Sequence, residues 1–320
     1  MRHRVVNDER IDRDPLRNEC QSGAPKARGQ AIKLTSIIEK KTRLKQNFCS
    51  FELFPTKNPE VYQRETERCA PAFYALTWYE KGVIPSEPFS TLKIAENFPG
   101  NVLLHCAARG LKYADVEKIL RRALELDIVN IFVLQGDTSS DDGDFQYASD
   151  LVTFIRKIFG QQFCICVAGY PEMHPQSPSK NHDLFYLKAK VNAGADFIIT
   201  QFCFEYQLYI QFIKDCRKLG ITVPIIPGIY PITNARLLNK ITSICSTRIP
   251  PWIQNTLQVM GEDNEAVKKF GIDLSVKIIQ EIRKSGVSYG YHLFTLNRPF
   301  PVIDIYDQLN IKSGIDIIIN

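Results

Sequence analysis

The stretch NVLLHCAARGLKYADVEKILRRALELDIVNIFVLQGD, residues 101–137, decides how the chain is read. Its two ends, NVLLHCA (101–107) and IVNIFVLQ (128–135), are short runs that are apolar on both faces. Between them YADVEKILRRALEL (113–126) carries apolar residues at helical spacing. A strand apolar on both faces, followed by an amphipathic helix and a second such strand, is the sequence sign of a buried parallel pair.

The same alternation extends in both directions. Upstream stand FCSFELF (48–54) and AFYALTW (72–78). Downstream come QFCICVAG (162–169), DFIITQFCF (196–204), TVPIIPGIY (222–230) and YGYHLFTLN (289–297). Helical patterns separate them, among them DFQYASDLVTFIRKIFG, NHDLFYLKAKVNAG, EYQLYIQFIKDCRKLG and ITNARLLNKITSIC. Several close on glycine (Gly194, Gly220, Gly286), as helix C-termini prefer. Only FSTLKIAENF, within 79–100, is weak. Eight strand–helix units in roughly 250 residues fit a (β/α)8 TIM barrel better than a doubly wound sheet. An open dinucleotide-binding sheet would also show a glycine-rich turn after its first strand, and FELFPTKNPE has none. The expectation is an α/β fold with one barrel over residues 46–320.

Residues 1–45 are read as a disordered or weakly ordered basic tail. They hold 12 Lys/Arg against 6 Asp/Glu, while the rest of the chain holds 28 against 29. The net charge of +5 is therefore a property of the tail, and the body has no electrostatic footprint for nucleic acid. The tail lacks the apolar core of a secretory signal, and its Asp8, Glu9, Asp12, Asp14 and Glu19 argue against a transit peptide. No run of 18 apolar residues exists to cross a membrane. Nine cysteines with no CxxC pair suit core thiols in a reducing, cytoplasmic compartment. Cys164 and Cys166 share one strand face, but core packing is a better account of them than a metal site.

In a barrel of this type the site lies at the C-terminal ends of the strands. There the sequence places Glu52, Thr77, His105, Gln135-Gly136-Asp137, Tyr170, Gln201, Tyr230 and Asn297-Arg298. Each has an ordinary structural reading alone: a hydrogen-bonded core histidine, a turn aspartate, a strand threonine. A ring of polar residues on seven or eight strand ends indicates a site. Glu52, set among Phe48, Phe51, Leu53 and Phe54, is the strongest single residue, because an unpaired buried carboxylate is costly.

The motifs SFELFPTK (50–57), LTW (76–78), LQGD (134–137), DFQYASDL (144–151), AGYPEMHP (168–175), KVNAGADFIITQ (190–201), PIIPGIYPI (224–232) and LFTLNRP (293–299) together resemble methylenetetrahydrofolate reductase. They run in order over residues 48–310. The resemblance implies an FAD flavoenzyme that reduces 5,10-methylenetetrahydrofolate to 5-methyltetrahydrofolate by a ping-pong route, with NAD(P)H as co-substrate. The wording is closer to the eukaryotic branch, which leans to NADPH. Glu52 would be the general acid that protonates the departing N10, and Asp137 would stabilise the cationic iminium and face the flavin. Flavin contacts would fall to Thr77, Trp78, His105, Gln135, Gly136, Tyr147, Ala148, Tyr170, His174, Asp183 and Lys190. Gln201, Phe294 and Arg298 would meet the folate. Neither a metal nor a nucleic acid is implied, and self-association is left open.

The chain departs from the family pattern at four places. Gln135 stands where Arg is usual, Cys106-Ala107-Ala108 replaces Leu-Thr-Cys, Phe294 replaces Tyr, and Thr56 replaces Pro. These changes motivate a second reading, a catalytically silent paralogue that acts as a binding or regulatory partner. A barrel aldolase would need a strand-borne lysine, and the eight strands carry none. Only about 10–20 residues follow the last strand–helix unit, so for a chain of this length no regulatory module and no inhibition by S-adenosylmethionine are expected.

Overall fold

The computed structural model describes residues 32–54, 59–77, 91–98, 101–136 and 142–315. Among the expected site residues, Trp78 and Asp137 lie outside the described residues, as do Thr56 and residues 1–31 of the tail.

Nine strands form one parallel sheet: β1 (Phe48–Leu53), β2 (Tyr74–Leu76), β3 (Val102–Ala107), β4 (Asn130–Leu134), β5 (Cys164–Gly169), β6 (Phe197–Thr200), β7 (Ile225–Ile226), β8 (Gly228–Ile229) and β9 (Gly290–Leu293). Their order is β7-β6-β5-β4-β3-β2-β1-β9-β8. The outermost two, β7 and β8, are consecutive in the chain and separated only by Pro227, so the sheet closes on itself as a barrel. The expected seventh strand, 222–230, is thus divided. Proline has no N–H to give to a ladder, and Pro227 instead accepts from the His292 N–H at 2.8 Å. β7 pairs β6 through Ile198↔Ile225, and β8 pairs β9 through Ile229↔Leu293.

Alternate residues of each strand face the barrel interior. Phe73, Leu103, Phe132, Cys166, Phe197 and Ile199 form an inner core, and a larger shell packs between strands and helices. Cys164 and Cys166 belong to the inner core as free thiols, and no metal-holding cluster of His, Cys, Asp or Glu occurs among the described residues. The interior also holds a polar pair: Ser50 Oγ lies 2.9 Å from His292 Nδ1, both fully buried.

The helices are α1 (Leu34–Arg43), α2 (Pro59–Thr66), α3 (Thr91–Asn97), α4 (Tyr113–Glu125), α5 (Ala148–Phe159), α6 (Lys180–Asn192), α7 (Tyr206–Lys218), α8 (Ala235–Cys245), α9 (Pro251–Met260), α10 (Asn264–Lys284) and α11 (Pro299–Ile315). Three of these, α1, α9 and α11, have no counterpart among the helical patterns of the sequence. Helix α1 lies within residues 1–45, the span expected to be a tail. Leu34 and Ile38 are buried in the inner core, the Leu34 N–H donates to Asn130 Oδ1 at 2.8 Å, and Asn130 Nδ2 donates to Ile32 O at 3.1 Å. Residues 34–43 are therefore helical and packed on the inner core. Leu34, Ile37 and Ile38 stand at helical spacing, but four charges within the helix hide so narrow a stripe. No helix of the described residues is long and apolar enough to cross a membrane.

Candidate active site

Glu52 is the fifth residue of β1, and the pleat turns its side chain to the face that also carries Phe48 and Ser50. It is 9 % exposed. Burial alone pushes its carboxyl from 4.5 up to about 8. Among the described residues no ion pair or hydrogen bond to that carboxyl is seen. A structural ion pair, the competing account of a buried glutamate, is absent from those residues.

His105, on the interior face of β3, is equally dry. Its ring meets Phe132 edge-on at 4.8 Å, and its Nε2 has no partner among the described residues. Burial pushes its pKa down to about 3, so it is neutral. His292 is held down to about 3 by burial and by His105. Thr77 follows β2, and its N–H donates to Leu53 O at 3.0 Å, tying β2 to β1 just beyond Glu52.

A cleft of about 310 Å³ opens at the C-terminal ends of β4 and β5, walled by α5 and α6. Seven of the expected flavin residues line it together: Gln135, Tyr147, Ala148, Tyr170, His174, Asp183 and Lys190. Lys190 Nζ donates to Ala168 O and lies 5.9 Å from the Tyr170 ring centroid. Burial lowers its pKa to about 8, while Asp183 acts the other way. The Asp183 carboxyl is raised by burial, against the pull of Lys190. His174 packs edge-on to Tyr170 at 4.6 Å, and burial with the charges of Lys190 and Arg109 lowers its pKa. Gly136 stands at the cleft's edge with φ +87°, where an added Cβ would sit 3.0 Å from Ala107 Cβ. The left-handed turn and the close approach both call for glycine.

The cleft also contains residues the sequence did not single out, chiefly Arg109, His182 and Tyr186. Arg109 follows β3, and its N–H donates to Gln135 O at 2.9 Å. A permanent cation is therefore supplied one strand away from Gln135, the position that lacks the usual arginine. The clue was the ARG run at 108–110, which reads as an ordinary turn. Tyr186 lies 6.0 Å from Tyr147 and 4.6 Å from His182, forming an aromatic wall.

Gln201 follows β6, where its N–H donates to Gly169 O at 2.8 Å, while Phe294 and Arg298 follow β9. Gln201 is half-buried, and its Oε1 accepts from the Phe202 N–H at 3.0 Å. The Phe202 ring is 5.8 Å from Phe294 and 5.1 Å from Tyr230. Phe294 and Arg298 share a small hollow with Tyr230, whose buried hydroxyl has no partner among the described residues. Arg298 donates to Thr233 Oγ1 at 3.0 Å. Above the strand ends, Arg248 fastens two loops by bonding Glu172 at 3.2 Å through its N–H and Glu205 at 3.0 Å through its guanidinium.

The lining could hold a ligand that carries phosphate groups and planar rings. Arg109 and Lys190 suit phosphate oxygens, the tyrosines suit planar rings, and the volume is that of a ligand cleft.

Comparison with known proteins shows which family the chain resembles. The family model for methylenetetrahydrofolate reductase matches residues 37–310. Methylenetetrahydrofolate reductase (NADH) 1 of Zea mays is 34 % identical over 288 residues, covering 82 % of this chain and 48 % of the relative. A probable NADPH enzyme of Caenorhabditis elegans is 33 % identical over 295 residues, covering 86 % of this chain and 44 % of the relative. The chain thus spans about half the length of these relatives. The 5,10-methylenetetrahydrofolate reductase of Escherichia coli is 31 % identical over 274 residues, with 83 % and 92 % covered. Among solved structures, an uncharacterized Clostridium thermocellum protein that binds two copies of 5-methyl-5,6,7,8-tetrahydrofolic acid superposes with TM-score 0.59 at 14 % identity. It covers 87 % of this chain and 99 % of its own, a likeness that speaks to the fold. Matched from residue 37 to residue 310, the chain belongs to the methylenetetrahydrofolate reductase family.

Proposed function

We propose that this protein reduces 5,10-methylenetetrahydrofolate to 5-methyltetrahydrofolate, with NAD(P)H as hydride donor and FAD as the resident cofactor in a ping-pong cycle. The observation that carries the reading is Glu52, a buried carboxyl without a partner among the described residues, raised to about 8 at a strand end of the barrel. Such a group keeps its proton at neutral pH and can still release it, which is what a general acid requires.

FAD would be held by Lys190, Arg109 and the aromatic wall of the cleft, and it supplies a two-electron carrier between the nucleotide and the folate. Glu52 protonates N10 as the imidazolidine ring opens, so that the hydride acceptor is a cationic iminium. Its apolar surroundings keep the acid neutral until that step. Asp137, next after Gly136 in the sequence, would oppose the iminium charge, while Gln201 and Arg298 would orient the folate. His105, neutral and buried, offers an imidazole hydrogen bond without adding charge to the flavin side.

The test is the visible spectrum of the purified protein under anaerobic conditions. Oxidised-flavin bands bleached by NADPH and restored by methylenetetrahydrofolate would establish the activity. A colourless protein that gains no flavin spectrum when FAD is added would overturn it. Gln135, whose amide among the described residues donates only to Gln146 O at 3.4 Å, would then favour the silent-partner reading.

A further inference from the structure

The acid Glu52 has no side-chain partner among the described residues, so its aim depends on the backbone that carries it. That backbone is held in an unusual way. The parallel ladder between β1 and β9 ends at Phe51↔Leu293. Beyond it the chain leaves β9 through a turn closed by the Arg298 N–H donating to Thr295 O at 2.9 Å. Both central residues, Leu296 at φ 49° and Asn297 at φ 57°, are left-handed. Asparagine tolerates this region, whereas leucine seldom enters it.

Side chains then take over from the ladder. Thr295 Oγ1 donates to Glu52 O at 2.7 Å. Asn297 serves both polar groups of Phe54: its Oδ1 accepts from the N–H at 2.8 Å, and its Nδ2 donates to the carbonyl at 3.0 Å. On the other flank the Thr77 N–H holds Leu53 O at 3.0 Å. The segment from Glu52 to Phe54 is thus tied at every residue. The turn that ties it also displays Arg298, whose guanidinium is anchored on Thr233.

We propose that Thr295 and Asn297 are positioning residues for Glu52, and that their turn sets the span between this acid and Arg298. The proposal rests on the reductase reading above. Strained turns persist where the surroundings over-determine them, and here those surroundings are the strand that bears the acid. A backbone shift of about 1 Å at a reacting group is enough to cost about 10²-fold in rate.

The experiment compares Thr295→Val, which keeps shape and loses the donor, with Thr295→Ser, which restores the hydroxyl. Asn297→Gly accepts the left-handed φ and loses the amide, and Asn297→Asp keeps the acceptor for Phe54 N–H. Flavin content, flavin reduction by NADPH and reoxidation by methylenetetrahydrofolate are measured separately by rapid mixing. The expected result for Asn297→Gly is reoxidation slowed about 10²-fold, with flavin content and NADPH reduction unchanged. Thr295→Val should show a smaller loss that Thr295→Ser restores, and the alkaline limb of the reoxidation profile should move in both defective variants. Equal loss of both half-reactions would mean a purely structural tie and would overturn the proposal. So would reoxidation at the wild-type rate in Asn297→Gly and Thr295→Val.

If the wild-type protein itself performs neither half-reaction, the reductase reading fails, and the clamp is tested on the acid alone. The carboxyl band of protonated Glu52 is followed by infrared difference against Glu52→Gln over a pH series. A titration that moves in Asn297→Gly supports the clamp, and one that stays in place refutes it. Should Asn297→Gly not fold, the Thr295→Val and Thr295→Ser pair is measured in the same way, with the same two outcomes.

Discussion

Two groups at the top of this barrel share a pKa of about 8 and reach it from opposite directions. Glu52 is raised there by burial in an apolar strand end, with no charge among the described residues to help it ionise. Lys190 is lowered there by burial in the cleft, with Asp183 partly restoring it. Below pH 8 the acid is therefore neutral and the lysine charged. On the proposed reading, one end of the site withholds a proton until it is needed and the other attracts an anion. Low dielectric serves both, because desolvation penalises whichever form carries the charge.

The largest effect that could break this contrast comes from Glu52→Gln. It should slow folate reduction by about 10²–10⁴-fold and leave flavin bound and reducible by NADPH. Loss of flavin in this variant would show that the two ends are not separate. Lys190→Met should next weaken flavin binding by about 10–100-fold, the range expected for one charge-assisted hydrogen bond. Flavin titration by fluorescence quenching measures it, and unchanged affinity would remove Lys190 from the cofactor site. Arg109→Ala should cost about tenfold in the same titration; if it costs nothing, the lost arginine at 135 has no substitute in this cleft.

A pH comparison sharpens the acid half. Folding raises the Glu52 pKa from 4.5 to about 8, so the folded state binds its proton more tightly than the unfolded chain does. The associated stability is complete below about 4.5 and is lost as pH rises through about 8. Wild type should therefore lose stability relative to Glu52→Gln across that window, as read by denaturant unfolding at several pH values. The smallest effect expected is for Arg248→Ala on the outer rim. Its pairs with Glu172 and Glu205 leave the arginine side chain 65 % exposed, so the stability change should stay within about 1 kcal/mol.

Much of the barrel is readable because parallel strands buried on both faces must be largely apolar, as IVNIFVLQ and FCSFELF are. Glu52 stands out for the same reason in reverse. Helix α1 is hidden because its apolar stripe is only Leu34, the half-buried Ile37 and Ile38, beside lysines and an arginine. Arg109, His182 and Tyr186 escape notice because a turn arginine and polar-face helix residues look ordinary until the cleft brings them together.

The sequence by itself determined the alternation of buried strands and helices, the absence of a glycine-rich nucleotide turn and the types of side chain at the strand ends. Only the tertiary structure decided which of these meet. Glu52 and Thr295 are 243 residues apart in the chain and 2.7 Å apart in space, because closing the barrel at Pro227 brings the last strand beside the first. The charge states of Glu52 and Lys190 were likewise settled there, since desolvation depends on every atom packed around a group and not on its neighbours in the chain.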